Sequence, residues 1–344
     1  MGVWQGGEDK PSRQPVWLWQ AELTQADLVA VSQQRQRAPF ADASLLARWE
    51  AAWQEAWQRF SLAFADPREL FRCLRLVLGW PYGTACALDP LLEPVWREAV
   101  AEAGLRAVWQ DVDPLRGQLA GPWRDEQGEE VATVAVRMAA AGWTAVQRES
   151  DGTGRLLEEI SAFPLPLPGG NTVGMQLYYG GGNQWLAAGG SAVLLSGDHS
   201  LIAALRAVRR RLPAPLACAL GLSQWGTLPQ RWQRRQALMA RYRLLRGHGC
   251  WQLPEAGEKD RCWPLFALQL ASAALRQALQ HHLQRVAIAS AMPYWFSLPA
   301  AGRHWPGWQR FQEQRLALPC HAGLSDAVQK RIINRCNRWA AEQP

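Results

Sequence analysis

The sequence predicts an α/β fold with a largely parallel sheet, followed by a smaller C-terminal domain. Two observations carry this. Short apolar runs alternate with amphipathic helical stretches through the N-terminal and central parts, and glycine or proline punctuates the junctions between them. A chain of 344 residues with 48% hydrophobic content also has enough apolar material for one large and one small core. The expected division is residues 1–228 and 229–344.

Taken in order, Thr24 with Asp27 three positions on forms a capping-box-like entry to a helix over residues 25–31. Leu46, Trp49, Trp53, Trp57 and Phe60 then recur at intervals of three and four, the stripe of a strongly amphipathic helix starting near Ser44. Helices are expected over residues 69–78 and 93–103, the second leading through Gly104 into the apolar strand Ala107-Val108-Trp109. Residues 121–130 are polar and read as a loop, residues 131–136 as a buried strand, and residues 192–195 as another. Asp198 or Ser200 caps the helix that carries Leu201, Leu205 and Val208. A long helix over residues 229–246 is expected to leave the first domain. Helices over residues 266–284 and after Ser325 belong to the second; in the last, Val328, Ile332, Cys336 and Trp339 share one face.

Composition excludes several function classes. Residues 1–15 contain Glu8, Asp9, Lys10 and Arg13 and no apolar run, so neither a signal peptide nor an anchor is expected there. No later segment reaches the ~18 consecutive apolar residues that span a bilayer. Seven scattered cysteines without zinc spacing predict reduced, structural thiols in a cytoplasmic protein. The net charge of +7 is almost wholly arginine, because the only lysines are Lys10, Lys259 and Lys330. The arginines are spread along helices, so neither a nucleic acid nor a membrane partner is expected. Arg209-Arg210-Arg211, the one tight cluster, reads as a complement to a helix C-terminus. Twenty tryptophans could stack on sugars, but their helical spacing assigns most of them to the core.

Three segments resemble a known family in order and spacing. They are EAGLRAVWQDVDP over residues 102–114, LACALGLSQWGTLPQRWQRRQALMARY over 216–242 and LALPCHAGLSDAVQKRIINRC over 316–336. Together with RWEAAWQEAWQRF near the front and GGSAVLLSGDHSLIAALRAVRRR in the middle, they resemble the DegT/DnrJ/StrS family of pyridoxal-phosphate-dependent sugar aminotransferases from about Leu23 onward. The resemblance implies a fold-type I three-layer sandwich with a small α+β domain, a homodimer, and a cofactor held between the domains near a partner subunit.

The same resemblance implies a cofactor site that this chain does not match. The lysine that would hold pyridoxal phosphate as an aldimine falls on Gly182, beside Asn183, and neither can form a Schiff base. Lys10 lies in the N-terminal tail, Lys259 in a loop and Lys330 on the exposed side of the last helix. The phosphate-binding turn falls on Asp66-Pro67-Arg68: proline deletes an amide donor, aspartate adds a repelling charge, and Arg68 remains as an anion-binding candidate. The carboxylate that pairs with the pyridine nitrogen falls on Glu159, the ring-stacking aromatic near Leu92 or Glu93, and a partner-subunit asparagine on Arg210. No cofactor is therefore expected, and Asp66, Arg68, Glu159, Gly182, Asn183 and Arg210 form a vestigial pocket.

Other patterns read as packing. His281-His282 cannot both face one ion on a helix, Cys320-His321 lies in a structural segment, and Gly180-Gly181-Gly182 lacks the lysine and hydroxyl of a P-loop. The expected function is a pseudoenzyme, a structural or regulatory subunit forming a homodimer or a heterodimer with an active paralogue. The alternative is an enzyme acting on a nucleotide sugar or related amino or keto substrate in polysaccharide or secondary-metabolite biosynthesis. It would work either without cofactor, through Glu159, Asp66 and Arg68, or as a pyridoxal-phosphate aminotransferase.

Overall fold

The structure, a computed structural model, describes residues 23–37, 43–114, 134–138, 155–161, 174–181, 184–254, 266–293 and 305–343. Helix α1 (Gln25–Arg37) begins at the expected box: Thr24 Oγ1 donates to Asp27 Oδ2 (2.8 Å) and the Asp27 amide donates back to Thr24 Oγ1 (3.3 Å). It runs a turn and a half further than residues 25–31, because nothing in residues 32–37 breaks a helix. Helix α2 (Ala43–Trp57) buries Leu45, Trp49, Trp53 and Trp57. Phe60, expected on the same stripe, instead opens strand β1 (Phe60–Phe64), since Gln58 turns into positive φ and ends the helix.

The order continues α3 (Pro67–Val77), β2 (Ala85–Leu88), α4 (Pro94–Glu102), β3 (Arg106–Trp109), β4 (Val134–Met138), β5 (Arg155–Glu159), β6 (Met175–Tyr179), β7 (Ala192–Ser196) and α5 (His199–Val208). The sheet order is β1-β7-β6-β5-β4-β2-β3. The β3-β2-β4-β5-β6 run is parallel, whereas β7 is antiparallel to both β6 and β1. Six strands therefore share one direction, and their C-terminal ends share one edge. Helices α3, α4 and α5 cover the sheet as one layer, and α2 with the start of the next long helix forms another. Strands β2 and β7 are buried along their whole length, as a sheet covered on both faces requires. Among the described residues of the expected 131–136 strand, residues 134–136 are strand; residues 131–133 and the loop over 121–130 lie outside the description.

Strand β1 is a sheet edge, and two side chains occupy its open side. Glu50 Oε1 accepts from the Ala63 amide (3.0 Å), and the Ala63 carbonyl accepts from Arg209 Nη1. The same Glu50 carboxylate pairs with Arg209 (2.7 Å) and Arg206 (2.8 Å). Edge groups satisfied in this way offer no template to another strand. This revises the expected role of the arginine cluster: Arg209 caps α5 but spends its guanidinium on Glu50 and β1, and the backbone amides of Arg210 and Arg211 donate to Glu69.

Helix α6 (Pro215–Tyr242) begins at Pro215, not at Pro229, which sits inside it. Proline fits the first turn of a helix, whereas an interior one loses a hydrogen bond and crowds the carbonyl four residues back, at a cost of about 3 kcal/mol that packing must offset; here Leu228 and Arg231 on either side are buried. The boundary at 228/229 therefore falls within a continuous helix. Beyond it, β8 (Trp251–Gln252), β9 (Phe266–Leu270) and β10 (Arg315–Leu318) form an antiparallel sheet in the order β10-β9-β8. It is accompanied by α7 (Ala273–Arg285), α8 (Pro306–Glu313) and α9 (Asp326–Ala341). The helix expected over residues 266–284 is thus two elements: Phe266, Leu268 and Leu270 are buried at strand spacing, and Ser272 caps a new helix by accepting from the Leu275 amide. Ser325 caps α9 as expected, with Ile332, Cys336 and Trp339 buried and Val328 half-buried. Asp111, in the loop after β3, accepts from the amides of Gly307 and Trp308 (2.8 Å each), fixing the start of α8 to the main sheet.

Candidate functional site

Because β1, β2, β5 and β6 end at one sheet edge, the residues just beyond them converge: Asp66, Asp89, Glu159 with Ser161, and Gly180-Gly181. In open α/β sheets this is where ligands bind. Tyr179 borders the cleft, its ring against Trp96. A Cβ on Gly181 would lie 2.5 Å from that ring, so glycine is needed for the chain to pass so closely.

At the end of β1, Asp66 caps α3. Its Oδ1 accepts from the Glu69 amide (2.9 Å) and its Oδ2 pairs with Arg211 (2.9 Å). Pro67 follows at the first helical position without an amide donor. A helix N-terminus attracts anions through its free amides and its dipole; here a carboxylate of the chain itself already takes that place. Arg68, the expected anion ligand, is paired within the chain. Its guanidinium lies against α4, 3.1 Å from Glu98 and 3.2 Å from Glu102, and those two carboxylates hold its pKa above the usual value.

Glu69 completes this corner. Three per cent exposed, it accepts from Arg72 Nη2 (2.6 Å) and Nε (2.9 Å) and from the Arg210 and Arg211 amides (2.7 and 3.2 Å). Burial alone would raise its pKa, but the Arg72 fork and the two amides reverse this and bring it down to about 2. Arg210 joins the corner only through its backbone, and its side chain is exposed.

At the end of β5, Glu159 is 2% exposed and turned back on its own loop. Its Oε1 accepts from the Ser161 amide (2.9 Å) and from Ser161 Oγ, which in turn accepts from the Tyr179 amide (2.8 Å). Burial raises the carboxyl to about 8; the Ser161 bonds oppose this, while the charges of Glu93 and Asp89 add to it. Glu159 is therefore mostly protonated at neutral pH. Glu93, itself raised by burial, accepts from Gln184 Nε2 across the cleft mouth, and Leu92 is buried. No aromatic side chain stands at either position.

Gly182 and Asn183 lie outside the described residues, as do Lys10 and Lys259. Lys330, the one described lysine, is exposed on α9. Of the residues expected to form one pocket, the structure brings Asp66 and the Arg210 backbone together through Glu69, places Glu159 beside Asp89 and Glu93, and turns Arg68 away. Glu69 and Asp89 were not anticipated. The Asp66-x-x-Glu69 spacing at a helix start and the Asp89-Pro90 and Glu93-Pro94 pairs were the available signals. No group of three or more His, Cys, Asp or Glu able to hold a metal ion exists among the described residues. The described cysteines are free and buried, and burial pushes the Cys73, Cys218 and Cys336 thiols up to about 12. No described helix is long and apolar enough to cross a membrane.

Residues 200–337 match the DegT/DnrJ/EryC1/StrS aminotransferase family. The fold is that of several solved structures. The aminotransferase TlmJ from Streptoalloteichus hindustanus superposes with a TM-score of 0.81 at 19% identity over 95% of this chain and 99% of its own. NtdA from Bacillus subtilis, solved with bound cofactor PMP, gives 0.82 at 14% identity over 97% and 87%. PseC from Helicobacter pylori, an aminotransferase of pseudoaminic acid biosynthesis, gives 0.78 at 14% over 96% and 100%. No curated protein matches the chain by sequence.

Proposed function

For a chain that carries a DegT/DnrJ/EryC1/StrS aminotransferase family domain over residues 200–337 and the aminotransferase-like α/β fold, we propose a non-catalytic role, as a structural or regulatory subunit. The observation that carries this reading is the corner at α3, where the Asp66 carboxylate takes the helix N-terminus that a cofactor phosphate needs. A phosphate placed there would meet a fixed negative charge and one fewer amide donor. Glu159 supports the same reading, because a protonated carboxyl gives up the charge that holds a pyridine ring protonated. With glycine at position 182 in place of the reactive lysine, these residues do not fit pyridoxal phosphate.

The packed α2, α5 and β1 region and the large sheet form one buried core, which supports a role for the chain as a scaffold. In this reading the chain assembles as a dimer, either with itself or with a lysine-bearing paralogue to which it lends one wall of a shared cleft. The cofactor-independent alternative finds support only in Glu159, since Asp66 and Arg68 are engaged by partners within the chain. Co-expression with a lysine-bearing family member from the same host, followed by light scattering on the purified complex, tests the assembly. A stable hetero-oligomer, or a homodimer without transaminase turnover, is expected. A homodimer that turns over an amino donor by itself contradicts the proposal.

A further inference from the structure

Away from the cleft, the last turn of α6 and the outer face of α9 enclose a groove of about 880 Å³. Its wall holds five cationic side chains, Arg241, Arg243, Arg246, Lys330 and Arg338, against a single carboxylate, Asp326. That carboxylate is already engaged by Arg234 (2.8 Å) and by Arg241. Arg246, Lys330 and Arg338 have no carboxylate partner among the described residues. Other exposed arginines are paired, Arg68 with Glu98 and Glu102, Arg206 with Glu50 and Arg211 with Asp66, and those that are not, such as Arg210 and Arg310, do not line this groove. Cations near the end of a helix are favoured by its dipole, which accounts for Arg241 and Arg243. It also favours Arg338, in the last turn of α9, but not Lys330, which lies in the second turn of that helix.

The groove is also preformed. Asn337 accepts from the Arg246 amide (2.8 Å) and donates to the Leu244 carbonyl (3.1 Å), stapling the turn after α6 to α9. Ile333 and Leu245 are buried beneath it, so the walls keep their spacing without a ligand. Guanidinium and ammonium groups lining one concave groove suit anions that accept several hydrogen bonds, and the volume lies in the small-ligand range. Several unpaired cations close together exceed what one singly charged group can neutralise.

We propose that the groove between the end of α6 and α9 binds a diphosphate group, with Arg246, Lys330 and Arg338 as its principal ligands. This is independent of whether the cleft is inert. The diphosphate can come free or as part of a nucleotide, and titration calorimetry on the full chain separates the two. Inorganic pyrophosphate and ADP are the probes, at low salt because exposed charges are screened by it. Saturable binding of pyrophosphate is expected, weakened at least ~10-fold in the double variant Lys330→Ala, Arg338→Ala, since charge-assisted hydrogen bonds are each worth more than one decade. Arg310→Ala, an exposed cation on α8 outside the groove, leaves affinity unchanged. Both groove substitutions are at exposed helix positions where alanine is well tolerated, and an unchanged melting temperature without ligand confirms folding. ADP binding more tightly than pyrophosphate assigns a nucleotide, and equal affinities assign a free diphosphate. Absence of saturable binding up to ~1 mM, or equal affinity in the double variant, overturns the proposal.

Discussion

Replacing Glu69 by alanine is expected to lower the free energy of unfolding by about 3–5 kcal/mol, as when one partner of a buried ion pair is removed. Five donors lose an acceptor at once: Arg72 Nε and Nη2, the amides of Arg210 and Arg211 and the Cys73 thiol. The effect has a pH signature. With the folded pKa at about 2, below the ordinary carboxylate value of 4.5, the stabilisation is fully present above pH 4.5 and is lost as the pH falls through 2. The wild-type chain therefore loses about 3 kcal/mol over that window that a Glu69→Gln variant never had. Urea unfolding at a series of pH values measures both, and a cost below ~1 kcal/mol for alanine, typical of exposed pairs, would place Glu69 among the surface charges instead.

The second large effect has the opposite sign. Glu159 is raised to about 8, so folding favours its protonated form. Below 4.5 the carboxyl is protonated in both states and contributes no difference; stability then falls as the pH rises, until the carboxyl ionises in the folded state above 8. Glu159→Gln keeps an oxygen acceptor for Ser161 and removes the ionisation. The variant should match the wild type near pH ~4 and exceed it by roughly 5 kcal/mol near pH ~9. A difference that does not vary with pH would show that Glu159 is ionised in the folded protein at neutral pH.

Much of the fold was legible because burial imposes a period. The α2 stripe of tryptophans and the α9 face both read correctly, since each presents one apolar side to a core. The errors come from local signals that compete with tertiary ones. Pro229 has the look of a helix start, yet buried neighbours carry α6 through it. Phe266, Leu268 and Leu270 share their segment with a helix beginning three residues later, and the Ser272 cap is what separates the two periods. Of the cleft, the Asp66-Pro67 pair announced a blocked helix N-terminus, because capping depends on adjacent residues. The partners of Arg68 and Glu159 were not legible. Glu98 and Glu102 approach Arg68 from a different helix, and Ser161 is locked by the Tyr179 amide of the neighbouring strand. The edge protection of β1 by Glu50 and Arg209 joins residues 159 positions apart. Sequence spacing carries no record of such a meeting.

The proposed loss of cofactor chemistry is tested most directly by adding equimolar pyridoxal phosphate to the purified full-length chain, recording the absorption spectrum, and treating with borohydride before peptide mapping. The Asp66 cap, the protonated Glu159 and glycine at position 182 together predict no imine band and no reduced adduct at this ratio. A stoichiometric band that borohydride fixes to one lysine, and that disappears when that lysine is replaced, would contradict the account.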